Sequence, residues 1–238
     1  MLFYYIRHGL PTYQPDALTP EGWEQAKALA NRFVIHGLDR IYSSSSPRAL
    51  ETAQPTCERL GLEPIVLDWA HEDLTWKEFG EVIIGDNYYW SYKMSETISK
   101  FMNPEVLALG KEWYTHPLFA NTKMGDGIKR VAHEADQLML ELGYEHDSAN
   151  NRFLKVGDSP KRVAFFAHSG FGRTFLSHLL DIPYPLYAVR FDGSFTGVTV
   201  VKFGDEPGGV YPRVLQLSND SHLYHEGLST RYNNQFDL

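Results

Sequence analysis

The chain predicts an α/β protein: a three-layer αβα sandwich around a mostly parallel sheet, with an aromatic-rich cap inserted near its middle. Three observations carry this. Residues 2–6 (LFYYI) and 163–167 (VAFFA) are continuously apolar, as strands buried on both faces of a parallel sheet are. Strand and helix patterns alternate along the first 67 residues, the rhythm of βαβ units. From about residue 81 to 121 that rhythm stops, and aromatic residues gather in NYYWSYK (87–93) and EWYTHPLF (112–119).

The first helix is written in LTPEGWEQAKALANRFVIHG. Thr19 stands at the N-cap and Pro20 at the first helical position; Trp23, Ala26, Ala30 and Phe33 recur at helical spacing, and Gly37 closes the segment. A short strand is expected at 40–43. In SPRALETAQPTCERLG, Ser46 caps a second helix that starts at Pro47 and turns Ala49, Ala53, Cys57 and Leu60 inward. Pro55 predicts a kink or a division there, because it lacks a donor and crowds the carbonyl four residues back. PIVL (64–67) reads as a strand, 128–142 as a helix, HDSANNRFLKVGDSPK as a polar loop and FGRTFLSHLL as a helix. GVTVVKF and RVLQLS, parted by the turn-rich GDEPGG, read as late edge strands. Residues 1–238 form one expected domain, with the insertion at about 80–125 covering the active site.

Composition narrows the function. Lys plus Arg total 22 against 30 Asp plus Glu, a net charge of −8, so neither a nucleic acid nor a membrane is expected as a partner, and any anion site must be local. The single cysteine, Cys57, has no partner for a disulfide or a thiolate metal site and reads as a small buried hydrophobe in a reducing, cytoplasmic setting. His36, His116, His133, His146 and His225 lack metal-ligand spacing and read as surface or structural residues; no metal and no cofactor are expected. Oligomeric state is not written in the sequence.

Ligands of an open parallel sheet bind beyond the carboxyl ends of its strands. Arg7 and His8 follow the first strand, a serine run leads to Arg48, His71, Glu72 and Asp73 follow PIVLDWA, and His168 follows VAFFA. Two guanidinium forks suit phosphate oxygens, and Arg48 in the first turn of its helix adds the positive end of a helix dipole. A neutral histidine can attack phosphorus if one ring nitrogen is fixed as a donor to a backbone carbonyl, and Arg7 and Arg48 should hold its pKa down.

These segments resemble the histidine phosphatase superfamily, the phosphoglycerate mutase-like proteins with an Arg-His-Gly signature. YYIRHGLP, LTPEGWEQA, IYSSSSPRALETA, FFAHSG and LQLSNDSHL follow that family's order. The resemblance implies that His8 is the nucleophile that becomes phosphohistidine, and that Arg7, Arg48 and His168 hold the phosphoryl oxygens. Ser169 is counted with them. Glu72 is chosen as the acid for the leaving oxygen, yet the family often places that acid four residues before a glycine, where this chain has Trp76 before Gly80. Asp73 and Glu78 stay open as alternatives.

The expected reaction is metal-independent hydrolysis of a small phosphorylated metabolite. Phosphoglycerate mutase-type transfer is the alternative, weakened by Leu10 and Gln14 where the mutase branch usually carries Glu or Gln and then Asn. A non-catalytic phosphate-binding module is a third possibility, raised by the displaced glutamate.

Overall fold

The fold is described from a computed structural model, which covers residues 1–84 and 87–232; residues 85–86 and 233–238, and the side chains of 81–88, lie outside the described part. The chain order is β1 (Leu2–Arg7), β2 (Pro11–Tyr13), β3 (Asp16–Leu18), α1 (Pro20–Phe33), β4 (Arg40–Ser44), α2 (Pro47–Leu60), β5 (Ile65–Leu67) and α3 (Glu72–Phe79). Residues 80–125, the expected insertion, hold β6 (Gly80–Ile84), β7 (Asn87–Trp90), α4 (Ser95–Phe101) and α5 (Pro104–Ala108). Then come α6 (Met124–Glu141), β8 (Tyr144–Asp147), β9 (Arg152–Lys155), β10 (Arg162–Ala167), α7 (Ser169–Leu179), α8 (Tyr184–Arg190), β11 (Val198–Lys202), β12 (Arg213–Asn219) and α9 (Ser221–His225).

Six strands form the main sheet in the order β12-β11-β1-β10-β4-β5. β1, β10, β4 and β5 run parallel, and β11 pairs antiparallel with both β1 and β12. Strand alternation sorts the core into two layers. Phe3, Tyr5, Val163 and Phe165 pack with Leu138 of α6 and Phe175 of α7 on one face. Ile6, Ala164 and Phe166 pack with Leu29 and Phe33 of α1 and Ala53 of α2 on the other. Burial of both faces explains why these strands read as unbroken apolar runs. Truncating a ring such as Phe165, fully buried, to alanine should cost about 3–5 kcal/mol.

Local chemistry sets the helix starts. Thr19 Oγ1 accepts the Gly22 N–H at 3.0 Å, with Pro20 behind it, a cap worth about 1 kcal/mol. Ser46 occupies the N-cap of α2, but its hydroxyl makes no capping bond. Instead its Oγ lies 3.3 Å from His168 Nε2. α2 runs through Pro55 undivided and ends at Gly61, whose φ of 64° is the left-handed conformation glycine adopts readily.

Three segments depart from the sequence reading. The polar loop expected at 146–161 contains all of β9 and the second half of β8, and this hairpin is tied to the β11–β12 connection by paired hydrogen bonds between Phe153 and Val210. β2 and β3 form a small hairpin just after His8. α1 ends at Phe33, four residues before Gly37, which still donates to the Phe33 carbonyl at 2.9 Å. Within 80–125, Phe101, Val106, Trp113 and Phe119 build a separate core with Phe79 and Tyr184.

Candidate active site

Parallel pairing of β1 with β10 sets Arg7 opposite Ala167, so the next residue on each strand is a histidine at the same edge. The His8 N–H donates to the Ala167 carbonyl at 2.9 Å, and the two imidazole centroids stand 5.3 Å apart. Tyr5 pins the second strand end: its hydroxyl donates to the His168 carbonyl at 2.6 Å and accepts the His168 N–H at 3.2 Å. His8 Nδ1 lies 2.8 Å from the Gly9 carbonyl, which can only accept, so Nδ1 carries the hydrogen and Nε2 the lone pair. Burial first, then Arg7 and Arg48, push the His8 pKa well below 6.5.

The guanidinium of Arg7 is buried, lies 3.8 Å from the centre of the Phe195 ring and donates to the Gly193 carbonyl. Arg48 rises from the first turn of α2 and donates from Nη1 to Asp16 Oδ2 at 2.8 Å. Its Nη2 lies 3.8 Å from Glu72 Oε2. Asp16, on β3, is a site-positioning residue that sequence reasoning missed, because nothing in the local pattern links it to a helix 32 residues away.

Glu72 opens α3 and reaches the start of α7. Its Oε1 accepts the Gly170 and Phe171 N–H groups at 2.8 and 3.1 Å, and its Oε2 stands 3.2 Å from His168 Nδ1, without hydrogen-bonding angles. Burial raises its pKa and outweighs the lowering by Arg48, the two backbone donors and Arg7. His168 is fully buried; its Nε2 meets Ser44 Oγ at 2.8 Å, and burial followed by Arg48 lowers its pKa well below 6.5. His168 is thus hydrogen-bonded through Nε2, while its Nδ1 faces Glu72 Oε2 without a hydrogen bond.

Part of this set borders a cavity of about 420 Å³, whereas His168, expected from sequence to hold phosphoryl oxygens, is fully buried and is not among the lining residues. Arg7, His8, Arg48 and Glu72 line it, with Ser169 and Gly170 from α7 and Asp73 from α3. Trp76, Tyr13, Tyr89, Trp90 and Lys93 complete the wall, the last three from the insertion. The Asp73 side chain is 70% exposed, whereas Glu78 is held by Arg130 in a two-pronged pair at 2.7 Å and does not line the cavity. Arg173 is committed elsewhere, donating to Asp192 Oδ1 at 2.9 Å and lying over Tyr92. Trp90 and Lys93 were signalled only by the aromatic bias of 87–93, and Tyr13 by nothing in its local pattern.

Among the described residues, two groups of side chains have the donors a divalent ion needs. Potential ligand atoms of His8, Glu72 and His168 lie within 4.8 Å of one another, but the neighbouring guanidinium groups of Arg7 and Arg48 oppose a cation and favour an anion there. Asp136, His146 and His178 form the other; their hydrogen bonds at 2.7–2.8 Å already join both rings to Asp136 Oδ1. His146, read from sequence as surface or structural, has a side chain 1% exposed.

Residues 3–82 match the family model described as Histidine phosphatase superfamily (branch 1). The matched stretch contains YYIRHGLP, LTPEGWEQA and IYSSSSPRALETA, the first three of the motifs that resemble that superfamily. No curated protein matches it in sequence. Among solved structures, phosphoserine phosphatase from Entamoeba histolytica in complex with 3-phosphoglyceric acid is similar at TM-score 0.59 and 22% identity, over 93% of this chain and 98% of that one. A protein titled Mycobacterial hydrolase 1 gives TM-score 0.59 and 20% identity over 92% and 98%. The alpha-ribazole phosphatase from Shigella flexneri gives 0.56 and 16% over 92% and 97%. At these identities the likeness is one of fold.

Proposed function

We propose that the chain is a phosphomonoesterase that works through a phosphohistidine at His8. The observation that carries this is the His8 ring itself: a buried, neutral imidazole whose Nδ1–H is fixed on Gly9, beside two arginines and the carboxyl group of the partly buried Glu72. Solved structures of the same fold that are titled phosphatases support the reading.

In the first half-reaction the Nε2 lone pair of His8 attacks phosphorus while the bond to the ester oxygen breaks. The Arg7 and Arg48 forks hold the non-bridging oxygens as charge builds on them. Glu72, whose pKa burial raises, gives its proton to the departing oxygen, so the alcohol leaves neutral. In the second, water attacks the phosphohistidine, Glu72 takes a proton from it, and phosphate leaves as the N–P bond breaks. His168, linked to Ser44 through Nε2, packs beside Glu72 Oε2 and backs the carboxyl from behind the cavity wall.

Every charge the reaction develops meets a protein group in this scheme, so it calls for no metal. The insertion acts as a cap, since Tyr89, Trp90 and Lys93 reach the cavity. Among the described residues no helix is long and apolar enough to cross a membrane, and the buried Cys57 fits the cytoplasm as its place. The test is phosphate release from p-nitrophenyl phosphate in the presence of a chelator. Undiminished turnover by the wild type and its loss in His8→Ala are expected; equal rates for the two proteins would remove the mechanism.

A further inference from the structure

We infer that the leaving group is a planar aromatic alcohol or phenol, selected by Trp90 and Trp76. The inference deepens the phosphatase reading and rests on it.

The argument starts at Gly170, in the first turn of α7. A Cβ at that position would stand 2.3 Å from Trp90 Cη2 and 2.6 Å from Glu72 Oε1, so the indole edge and the carboxyl oxygen are less than about 5 Å apart. The ester oxygen that receives the Glu72 proton must lie within hydrogen-bond reach of this carboxyl. Whatever substituent that oxygen carries therefore begins its path against the Trp90 ring. Trp76 meets Trp90 edge to face, with centroids 4.7 Å apart and planes at 80°, and Trp90 is in turn stacked on buried Tyr92 at 5.5 Å. The two indoles thus form a rigid right-angled corner beside the acid. Both indoles line the cavity, and their aromatic surface favours the stacked or edge-to-face contact that a flat ring makes well and a puckered or branched chain makes poorly.

The corner lies on the cavity side of both residues, and each indole is only half-buried, unlike the enclosed Trp113 of the insertion's own core. Core packing alone does not account for two large rings bordering a cleft that also holds Arg7 and His8. A ring attached directly, or through one carbon, to the ester oxygen reaches the corner. A long polyol would place hydroxyls against carbon.

The test compares benzyl phosphate with cyclohexylmethyl phosphate, esters of similar size whose alcohols are of similar acidity, so that flatness is the main difference. The expected result is a kcat/KM about three- to tenfold higher for the benzyl ester, the range of an aromatic pair. Trp90→Leu and Trp76→Leu should bring the ratio toward one, chiefly through the benzyl ester. Equal kcat/KM for the two esters in the wild type, with both turnovers dependent on His8, would overturn the inference and leave the phosphatase standing. If wild type hydrolyses neither, the phosphatase reading fails and takes this one with it. The wild-type ratio decides without any variant having to fold.

Discussion

Glu72 Oε1 accepts the backbone N–H of Gly170 at 2.8 Å, which places a carboxyl group from α3 on the N-terminus of α7, beside His168. That single bond links the segment after PIVLDWA to FFAHSG. It also puts opposing influences on the acid: the helix end and Arg48 favour the carboxylate, burial favours the neutral acid, and burial is the larger.

The pH dependence of activity follows from this. His8 must be neutral to attack, and its pKa lies well below 6.5, so the acidic limb of kcat/KM should fall only well under that pH. Glu72 must be protonated to assist the leaving group, and its pKa is raised from 4.5, so the basic limb should begin above that value. An acid-shifted bell is expected from initial rates across pH. Activity rising steadily to pH 9 would contradict it.

Glu72→Gln should lower kcat/KM on the order of 10²–10⁴-fold for an alkyl phosphate, whose leaving alcohol needs a proton. For p-nitrophenyl phosphate, whose leaving group departs as an anion, the first step should suffer far less. Equal losses on the two substrates would show that Glu72 positions the site and transfers no proton.

How much of this could be read from sequence differs by element. The strand ends were legible because strands buried on both faces leave unbroken apolar runs, and such runs here stop at Arg7 and at His168. Arg48 was legible through Ser46 and Pro47, which mark a helix start. The acid was not decidable: Glu72, Asp73 and Glu78 all lie on α3, and helix phase separates them. At about 100° per residue, Glu78 points some 120° away from Glu72, toward Arg130. The β8–β9 hairpin was hidden because its residues are polar, and Phe153 finds its partner Val210 more than fifty residues later. The short insertion helices depend on the cluster around Trp113 and carry no periodicity of their own.

Gly170→Ala tests the close packing of Trp90 on α7. The added carbon would stand 2.3 Å from the indole, so either the ring or the helix start must shift. Overpacking of this kind costs about 1–3 kcal/mol, or a few degrees of Tm in a chain of this size. A larger fractional loss of activity should accompany it, because Glu72 is bound to the same N–H. A variant with full activity and unchanged Tm would show that the contact gives way freely.

The cluster at the other end of α7 predicts a stability limb. Burial alone would lower the His146 pKa, but its bonds to Asp136 and Asp181 raise it to about 9. Burial alone would raise that of Asp136, yet His146 and His178 hold it at about 2. A raised histidine stabilises the fold fully below 6.5 and loses that contribution as pH climbs through about 9. The depressed aspartate stabilises above 3.8 and fails as pH drops toward about 2. Tm should therefore decline between pH 6.5 and 9 in the wild type, and His146→Gln should flatten that decline. Parallel curves for the two proteins would rule the cluster out as its source.

The most direct measurement is covalent. Rapid quenching during turnover of a ³²P-labelled phosphomonoester should yield protein-bound label that is stable to alkali and lost in acid, mapping to the peptide that contains His8. The label should be absent from His8→Ala. Multiple turnovers with no label on His8, or label on a different residue, would contradict the account.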